Sequence, residues 1–146
     1  MIGYLDTSAF VPLLVNEPSS HACRRFWDDA DAVVSSRLMY VETAAALAQA
    51  HRMARLHDTD YAACRRLLDQ LWPQIDIVEA DEALILRAAE LTDVFALRGY
   101  DAVQCAAAEQ LNDTDSVAAS GDKRLLDAWK ALGVATFNTN TPEDIA

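Results

Sequence analysis

The chain has 146 residues, of which 52% are hydrophobic and 24% charged, with four glycines and four prolines. That is the make-up of a single compact domain with a sizeable core, spanning 1–146, and it excludes a disordered or low-complexity chain. The formal charge is −11, from 12 lysines and arginines against 23 aspartates and glutamates, which excludes nucleic-acid binding through a generic basic surface. Any nucleic acid must be met through local basic patches, metal ions or both.

The first predicted element is a short buried strand over Ile2 to Leu5, followed by a helix over Thr7 to Val15. The break "NEPSS" separates it from a helix over His21 to Asp28, capped by Ser19 or Ser20. The β-branched run "AVVSS" predicts a second strand over Ala32 to Ser35. A long helix over Arg37 to Arg55 carries a stripe of Leu38, Val41, Ala45, Ala48 and Arg52 at helical spacing. After a turn at His57-Asp58-Thr59, a helix over Asp60 to Leu71 stops ahead of Pro73. "IDIV" predicts a third strand, and Asp81 caps a helix running to Leu97 that Gly99 closes as its left-handed C-terminal residue. A helix over Tyr100 to Leu111, a strand over Ser116 to Ala119, a helix over Asp122 to Leu132 ended by Gly133, and a fifth strand in "VATF" complete the order. The tail "NTNTPEDIA" reads as a loop with a short terminal turn. Strands alternating with helices imply parallel pairing in an α/β sandwich, with helix outweighing strand.

No charged leader followed by an apolar stretch opens the chain, and no apolar run approaches the roughly 20 residues of a bilayer span, so no membrane contact and a cytoplasmic location are expected. Cys23, Cys64 and Cys105 are widely spaced and odd in number, which predicts reduced core thiols and neither a disulfide framework nor a zinc site. His21, His51 and His57 are scattered without metal-ligand spacing and are expected at the surface, so a histidine-pair mechanism is not expected.

Four acids stand out. Asp6 follows the first strand, Asp122 follows the fourth, Asp101 opens a helix, and Glu42 interrupts the apolar stretch "MYVETAAALA". Each of the three aspartates has an ordinary reading as a helix N-cap or dipole partner. Glu42 has one as a surface residue, although Ala45 and Ala46 at i+3 and i+4 offer it no ion-pair partner. Jointly they say more. Acids at the ends of parallel strands lie on one edge of the sheet, the edge where α/β folds bind ligands. Converging carboxylates repel and raise one another's pKa. A hard divalent cation, Mg²⁺ or Mn²⁺, is the simple way to keep them ionised, and such a site suits phosphodiester hydrolysis.

These residues carry a resemblance that runs nearly the whole length, through "YLDTSAFVPLLVNEP", "YVETAAAL", "LRGYDAVQCAAA" and "ASGDKRLLDAW". The chain resembles a PIN-domain ribonuclease, and more narrowly a VapC-type toxin of a type II toxin–antitoxin pair. The resemblance implies a PIN-like three-layer sandwich with a central parallel sheet of about five short strands. It also implies Mg²⁺- or Mn²⁺-dependent cleavage of RNA, of the tRNA or ribosomal RNA kind. The family's acidic site falls here on Asp6, Glu42, Asp101 and Asp122, as catalytic residues and metal ligands. Asp6, Glu42 and Asp101 are expected to hold one ion directly or through water. Asp122 completes the site through water or with a second ion. The products expected of such a hydrolysis carry 3′-hydroxyl and 5′-phosphate ends. Ser8 and Ser120 match hydroxyls that accompany the first and last acids, supporting Asp6 and Asp122. Local helix-turn bonding for Ser8 and turn chemistry before Gly121 for Ser120 are the ordinary alternatives. Arg98, Lys123 and Arg124, next in sequence to Asp101 and Asp122, are candidates for RNA phosphate contacts, with helix-end and surface charge as the alternative. The resemblance further implies a cognate VapB-like antitoxin as partner and a homodimer. Phe26, Trp27, Tyr40, Trp72 and Phe95 would supply such a groove or dimer face, or simply core.

Other classes compete. A receiver-type signalling domain would need paired acids after the first strand, where "LDTS" has one, and a haloacid-dehalogenase-like phosphatase would need an acid at Ser8. A non-catalytic PIN binding module, or a PIN nuclease acting in RNA processing or on DNA, shares the fold and differs only in use.

Overall fold

The computed structural model describes residues 1–140. Five strands, β1 (Ile2–Leu5), β2 (Ala32–Ser36), β3 (Ile75–Val78), β4 (Ser116–Ser120) and β5 (Thr136–Asn138), form one sheet in the order β3-β2-β1-β4-β5. Every neighbouring pair is parallel. Successive residues of a strand face opposite sides, so each strand feeds two cores. Tyr4, Val34 and Ala118 pack with Leu91, Leu125 and Trp129 on one face; Leu5, Val33 and Ala119 pack with Phe10, Phe26, Met39, Leu47 and Leu68 on the other. The helices α1 (Thr7–Phe10), α2 (Ser20–Asp29), α3 (Met39–Arg52) and α4 (Asp58–Leu71) cover the second face. The first is covered by α5 (Glu82–Phe95), α6 (Gly99–Leu111) and α7 (Lys123–Ala131). The result is the three-layer α/β sandwich expected of a parallel sheet buried on both sides. Within it α6 is a core helix, with Ala102 through Ala108 all buried. Gly3 is required by close approach, since a Cβ there would lie 2.7 Å from the Phe26 ring.

The elements differ from expectation in instructive places. The first helix is broken: α1 passes into a 3₁₀ turn at Val11–Leu13 whose Pro12 cannot donate to an α-helical ladder. Ser19 sits at the N-cap of α2 without a side-chain cap bond, while the Ser20 hydroxyl ties the preceding turn to Glu17 N and Val15 O. The N-cap of α4 is His57. Gly99 does not close α5. Ala96 does, in a left-handed conformation at φ 53°, and Gly99 begins α6. Burial of Leu97 directly after the turn fixes where the chain reverses and outweighs the modest strain on Ala96. Gly133 ends the α7 segment at φ 79° as expected. The fifth strand begins two residues later than the sequence pattern predicts. All three cysteines are free and buried. Of the tail, the residues from Thr141 onward lie outside the described residues.

Candidate active site

Strand order reverses at β1, which has β2 on one side and β4 on the other. Crevices for ligands open at such a point, at the carboxyl ends of the strands. The register there pairs Leu5 with Ala119, so the residues that follow, Asp6 and Ser120, stand side by side. Asp6 reaches this place as the N-cap of α1. Its Oδ1 accepts from Ala9 N at 3.1 Å and from the Ser8 hydroxyl at 2.8 Å, and its Oδ2 accepts from the Ser120 hydroxyl at 2.9 Å. The two serines are 3.3 Å apart; Ser8 Oγ accepts from Gly121 N and Ser120 Oγ from Asp122 N. Both hydroxyls therefore bond the Asp6 carboxylate and also accept from the backbone of the turn into α7, Ser120 meeting Asp122 at its backbone N–H. Asp122 caps α7, its Oδ1 accepting from Arg124 N at 2.9 Å.

Asp6 is only 5% exposed. Burial pushes its carboxyl from the ordinary 3.8 up to about 7. The hydrogen bonds from Ser8, Ser120 and Ala9 N oppose that rise, and the nearby Asp122 charge adds to it. Glu42 lies in the first turn of α3, which starts at the carboxyl end of β2. Desolvation raises its pKa and the Asp101 charge adds to the rise, against bonds from Gln104 and Thr7. Asp101 lies in the first turn of α6, the helix that returns the chain to the start of β4. Its carboxyl is raised by desolvation and by Asp122, and lowered by the Arg98 charge. The four acids thus feel one another across a single edge, and among the described residues none of them is in an ion pair.

Donor chemistry here is all hard oxygen, carboxylates with hydroxyls, uncompensated by any closely bonded cation. That donor set fits a hard divalent ion. The side chains do not close around a single point: among the described residues no three carboxylate, imidazole or thiol groups are clustered tightly enough to enclose an ion. Three of the acids are held by protein donors: Asp6 by Ala9 N and the two serines, Asp122 by the first turn of α7, and Glu42 by Gln104.

Arg98 is exposed at the N-cap of α6 beside Asp101. Lys123 is not aimed at the acids; its ammonium bonds Asp127 one turn on at 2.8 Å. Arg124 is exposed and contributes its backbone N–H to Asp122. Two further residues stand beside these acids, each inside a quoted motif but not singled out from the sequence. Thr7, beside Asp6, favours the charged form of Glu42 and lies 3.5 Å from the amide of Gln104, which is buried and donates to Glu42 at 3.0 Å. Gln104 does carry a faint signal: it interrupts an Ala/Val/Cys run three residues after Asp101, on the same helix face. Among the described residues, no histidine is among the groups that shift Asp6, Glu42 and Asp101. His51 instead bonds Asp58 at 2.7 Å and stacks on Tyr61.

From the site an open groove of about 790 Å³ leads away between α3, α5 and α6. Glu42, Asp101 and Arg98 stand with Leu38, Ile85, Ala88 and Val103 along it. Of the aromatics expected at a groove, Phe26 is core and Tyr40 and Trp72 pack edge to face, 5.3 Å between centroids.

A parallel sheet with four acids at its switch point defines an α/β domain with an acidic edge where such folds bind ligands, and its strand order is not the flavodoxin-like one of receiver domains. The family model of the PIN domain matches residues 3–130, and the chain belongs to that family. It is 39% identical over 130 residues to ribonuclease VapC45 of Mycobacterium tuberculosis, covering 89% of this chain and 90% of that one. Among solved structures, FitAB bound to an IR36 DNA fragment shares the fold with a TM-score of 0.71 at 19% identity, with full coverage of both chains. A toxin–antitoxin complex from Klebsiella pneumoniae does so with a TM-score of 0.66 at 12% identity, covering 96% and 99%. No helix among the described residues is long and apolar enough to cross a membrane.

Proposed function

We propose that this chain is a VapC-type endoribonuclease toxin whose phosphodiester hydrolysis depends on Mg²⁺ or Mn²⁺. The observation that carries the reading is Asp6: a carboxylate buried at the sheet's switch point, among three further acids, with no ion pair to it among the described residues. Its relatives named as ribonucleases, at 39% identity over nine-tenths of their length, supply the reaction class. The ion would be held by Asp6, Glu42 and Asp101, with Asp122 completing the site. When bound it supplies Lewis-acid polarisation of the phosphate and activation of the attacking water. The chain's own residues do the rest. Ser8 and Ser120 hold Asp6, Gln104 holds Glu42, and the exposed Arg98 beside Asp101 would meet an RNA phosphate. Arg124 is a second candidate contact, whereas Lys123 must first leave Asp127.

A cognate antitoxin, VapB-like, fits the same surface. The chain carries −11 overall, and the groove beside the acids is lined chiefly by apolar side chains, which suits a segment with apolar anchors and a basic end. The Klebsiella neighbour is a toxin–antitoxin complex. A homodimer is proposed on the family resemblance.

The test is to express wild type and Asp6→Asn in a host and map new 5′ ends across its RNA, then repeat the cuts with purified protein and Mg²⁺ or Mn²⁺ against EDTA. Discrete cuts leaving 5′-phosphates, made by wild type alone and abolished by EDTA, are expected. Equal cutting by Asp6→Asn, or cutting that survives EDTA, overturns the metal-site reading.

A further inference from the structure

Gln104 is 1% exposed, a carboxamide placed in the middle of a core helix. Burying an amide is costly unless its donors and acceptor are all engaged. Here both ends are. The Tyr4 hydroxyl donates to Oε1, while Nε2 donates to Glu42 Oε1 at 3.0 Å and lies 3.5 Å from Thr7 Oγ1. The direction of the chain of bonds is forced. An ionised carboxylate only accepts, so the NH₂ end must face Glu42, and the carbonyl then faces Tyr4, whose hydroxyl must donate. Tyr4 is itself fixed: it lies in β1 with 1% exposure, its ring edge-on to Trp129 at 5.9 Å. A rigid path thus runs from the core through Tyr4 and Gln104 to one carboxylate of the acidic edge.

We propose that Gln104 is a positioning residue: its carboxamide, oriented by the Tyr4 hydroxyl, holds the Glu42 carboxylate beside Asp101 in readiness for the divalent cation. The inference rests on the metal-dependent reading above and assigns Tyr4 a part in the site through a residue it touches. Groups one step removed from a metal ligand typically change affinity or activity by about 10–100-fold when lost.

Two variants test it. Gln104→Met keeps the buried volume and removes both bonds; Tyr4→Phe keeps the ring against Trp129 and removes only the hydroxyl that orients the amide. Mn²⁺ alone is titrated calorimetrically into the full chain. Gln104→Met is expected to bind about 10-fold or more weakly than wild type, and Tyr4→Phe several-fold more weakly. Turnover of cleaved RNA falls in parallel and KM is unchanged. In a Glu42→Gln background, Gln104→Met is expected to cost no further Mn²⁺ affinity, because its effect passes through Glu42. Binding by Gln104→Met within twofold of wild type, or the same loss with and without Glu42, overturns the proposal. Should Gln104→Met fail to fold, Tyr4→Phe is judged by the same criteria. An independent readout needs no metal: in EDTA the side-chain amide resonance of Gln104 is expected to exchange slowly with water and to shift in Glu42→Gln. A freely exchanging amide, indifferent to Glu42, overturns the positioning role. If wild type itself binds no Mn²⁺, the metal-dependent reading fails instead, and the amide resonance decides whether Gln104 holds Glu42.

Discussion

Replacing Asp6 by Asn tests the central physical claim, that a carboxylate is held at this edge at a cost to folding. Burial lifts the Asp6 carboxyl from its ordinary 3.8 to about 7 in the folded chain. Between about pH 4 and pH 7 the unfolded chain has released this proton and the folded chain keeps it. Folding stability therefore falls as pH rises through that window and levels off above it. The gap of about three pH units, at about 1.4 kcal/mol each, makes the ionised carboxylate a burden of about 4 kcal/mol at pH 8. Asparagine carries no such proton. It does place an NH₂ where Oδ2 now accepts from Ser120 at 2.9 Å, so the Ser120 hydroxyl must turn toward Ser8, 3.3 Å away. That rearrangement weakens one hydrogen bond, at about 1–2 kcal/mol.

Asp6→Asn, inactive, is accordingly expected to be more stable than wild type by about 2 kcal/mol at pH 8, or about 4–8 °C in melting temperature for a chain of this size. The order reverses toward pH 4, where that burden is gone and the weakened hydrogen bond leaves Asp6→Asn less stable than wild type by about 1–2 kcal/mol. Thermal melts by circular dichroism in EDTA across pH 4–8.5, with urea titrations at 25 °C, measure it. Taking the difference between the two proteins cancels the other acids. An Asn variant no more stable than wild type at pH 8, or a difference that does not change with pH, refutes the claim that Asp6 is ionised against its surroundings. Added Mn²⁺ is expected to raise the melting temperature of wild type and leave Asp6→Asn unmoved, by mass action on the folded state.

Ser120→Ala removes a donor to Asp6 and the acceptor of Asp122 N. It is expected to lower activity about 10–100-fold and to move the acid limb of the pH–rate profile to higher pH, because the carboxylate loses a bond that favours its charged form. Arg87 joins α5 to α6 by bonds of 2.7 and 2.8 Å to Glu109, with a further bond to Glu90, at a site 40% exposed. Arg87→Met should therefore cost about 1 kcal/mol or less in urea titrations, and leave RNA cleavage intact. Trp129→Ala empties a fully buried position behind Tyr4 and is expected to cost about 3–5 kcal/mol in the same titrations.

The order of elements is legible in the sequence because apolar runs, caps and helix stops here obey local rules. Asp81 caps α5 and Asp122 caps α7, as those rules predict. What local rules miss is set by packing. A glycine at 99 is the better left-handed residue by sequence, yet Ala96 takes that conformation because Leu97 is drawn into the core. The acids are legible for a further reason. Capping and function look like rival explanations of Asp6, but they are one geometry: an N-cap at the carboxyl end of a central parallel strand bonds its own helix and faces the crevice at once. Gln104 and Thr7 are not legible, since each acts on Glu42 across dozens of residues, and only the sheet and α6 bring them together.

That construction explains why the site is acidic and yet orderly. The carboxylates are spaced by hydroxyl and amide donors, Ser8 and Ser120 for Asp6, Gln104 and Thr7 for Glu42, which steady each negative charge without neutralising it. A lysine or arginine bonded in their place would stabilise the fold more and leave no negative site to fill. The uncompensated charge is what a cation, or the basic end of an inhibiting segment, has to meet. On the proposed function, enzyme and inhibitor chemistry would meet at the same four side chains, and Asp6→Asn is expected to weaken a basic inhibitor at this edge together with Mn²⁺.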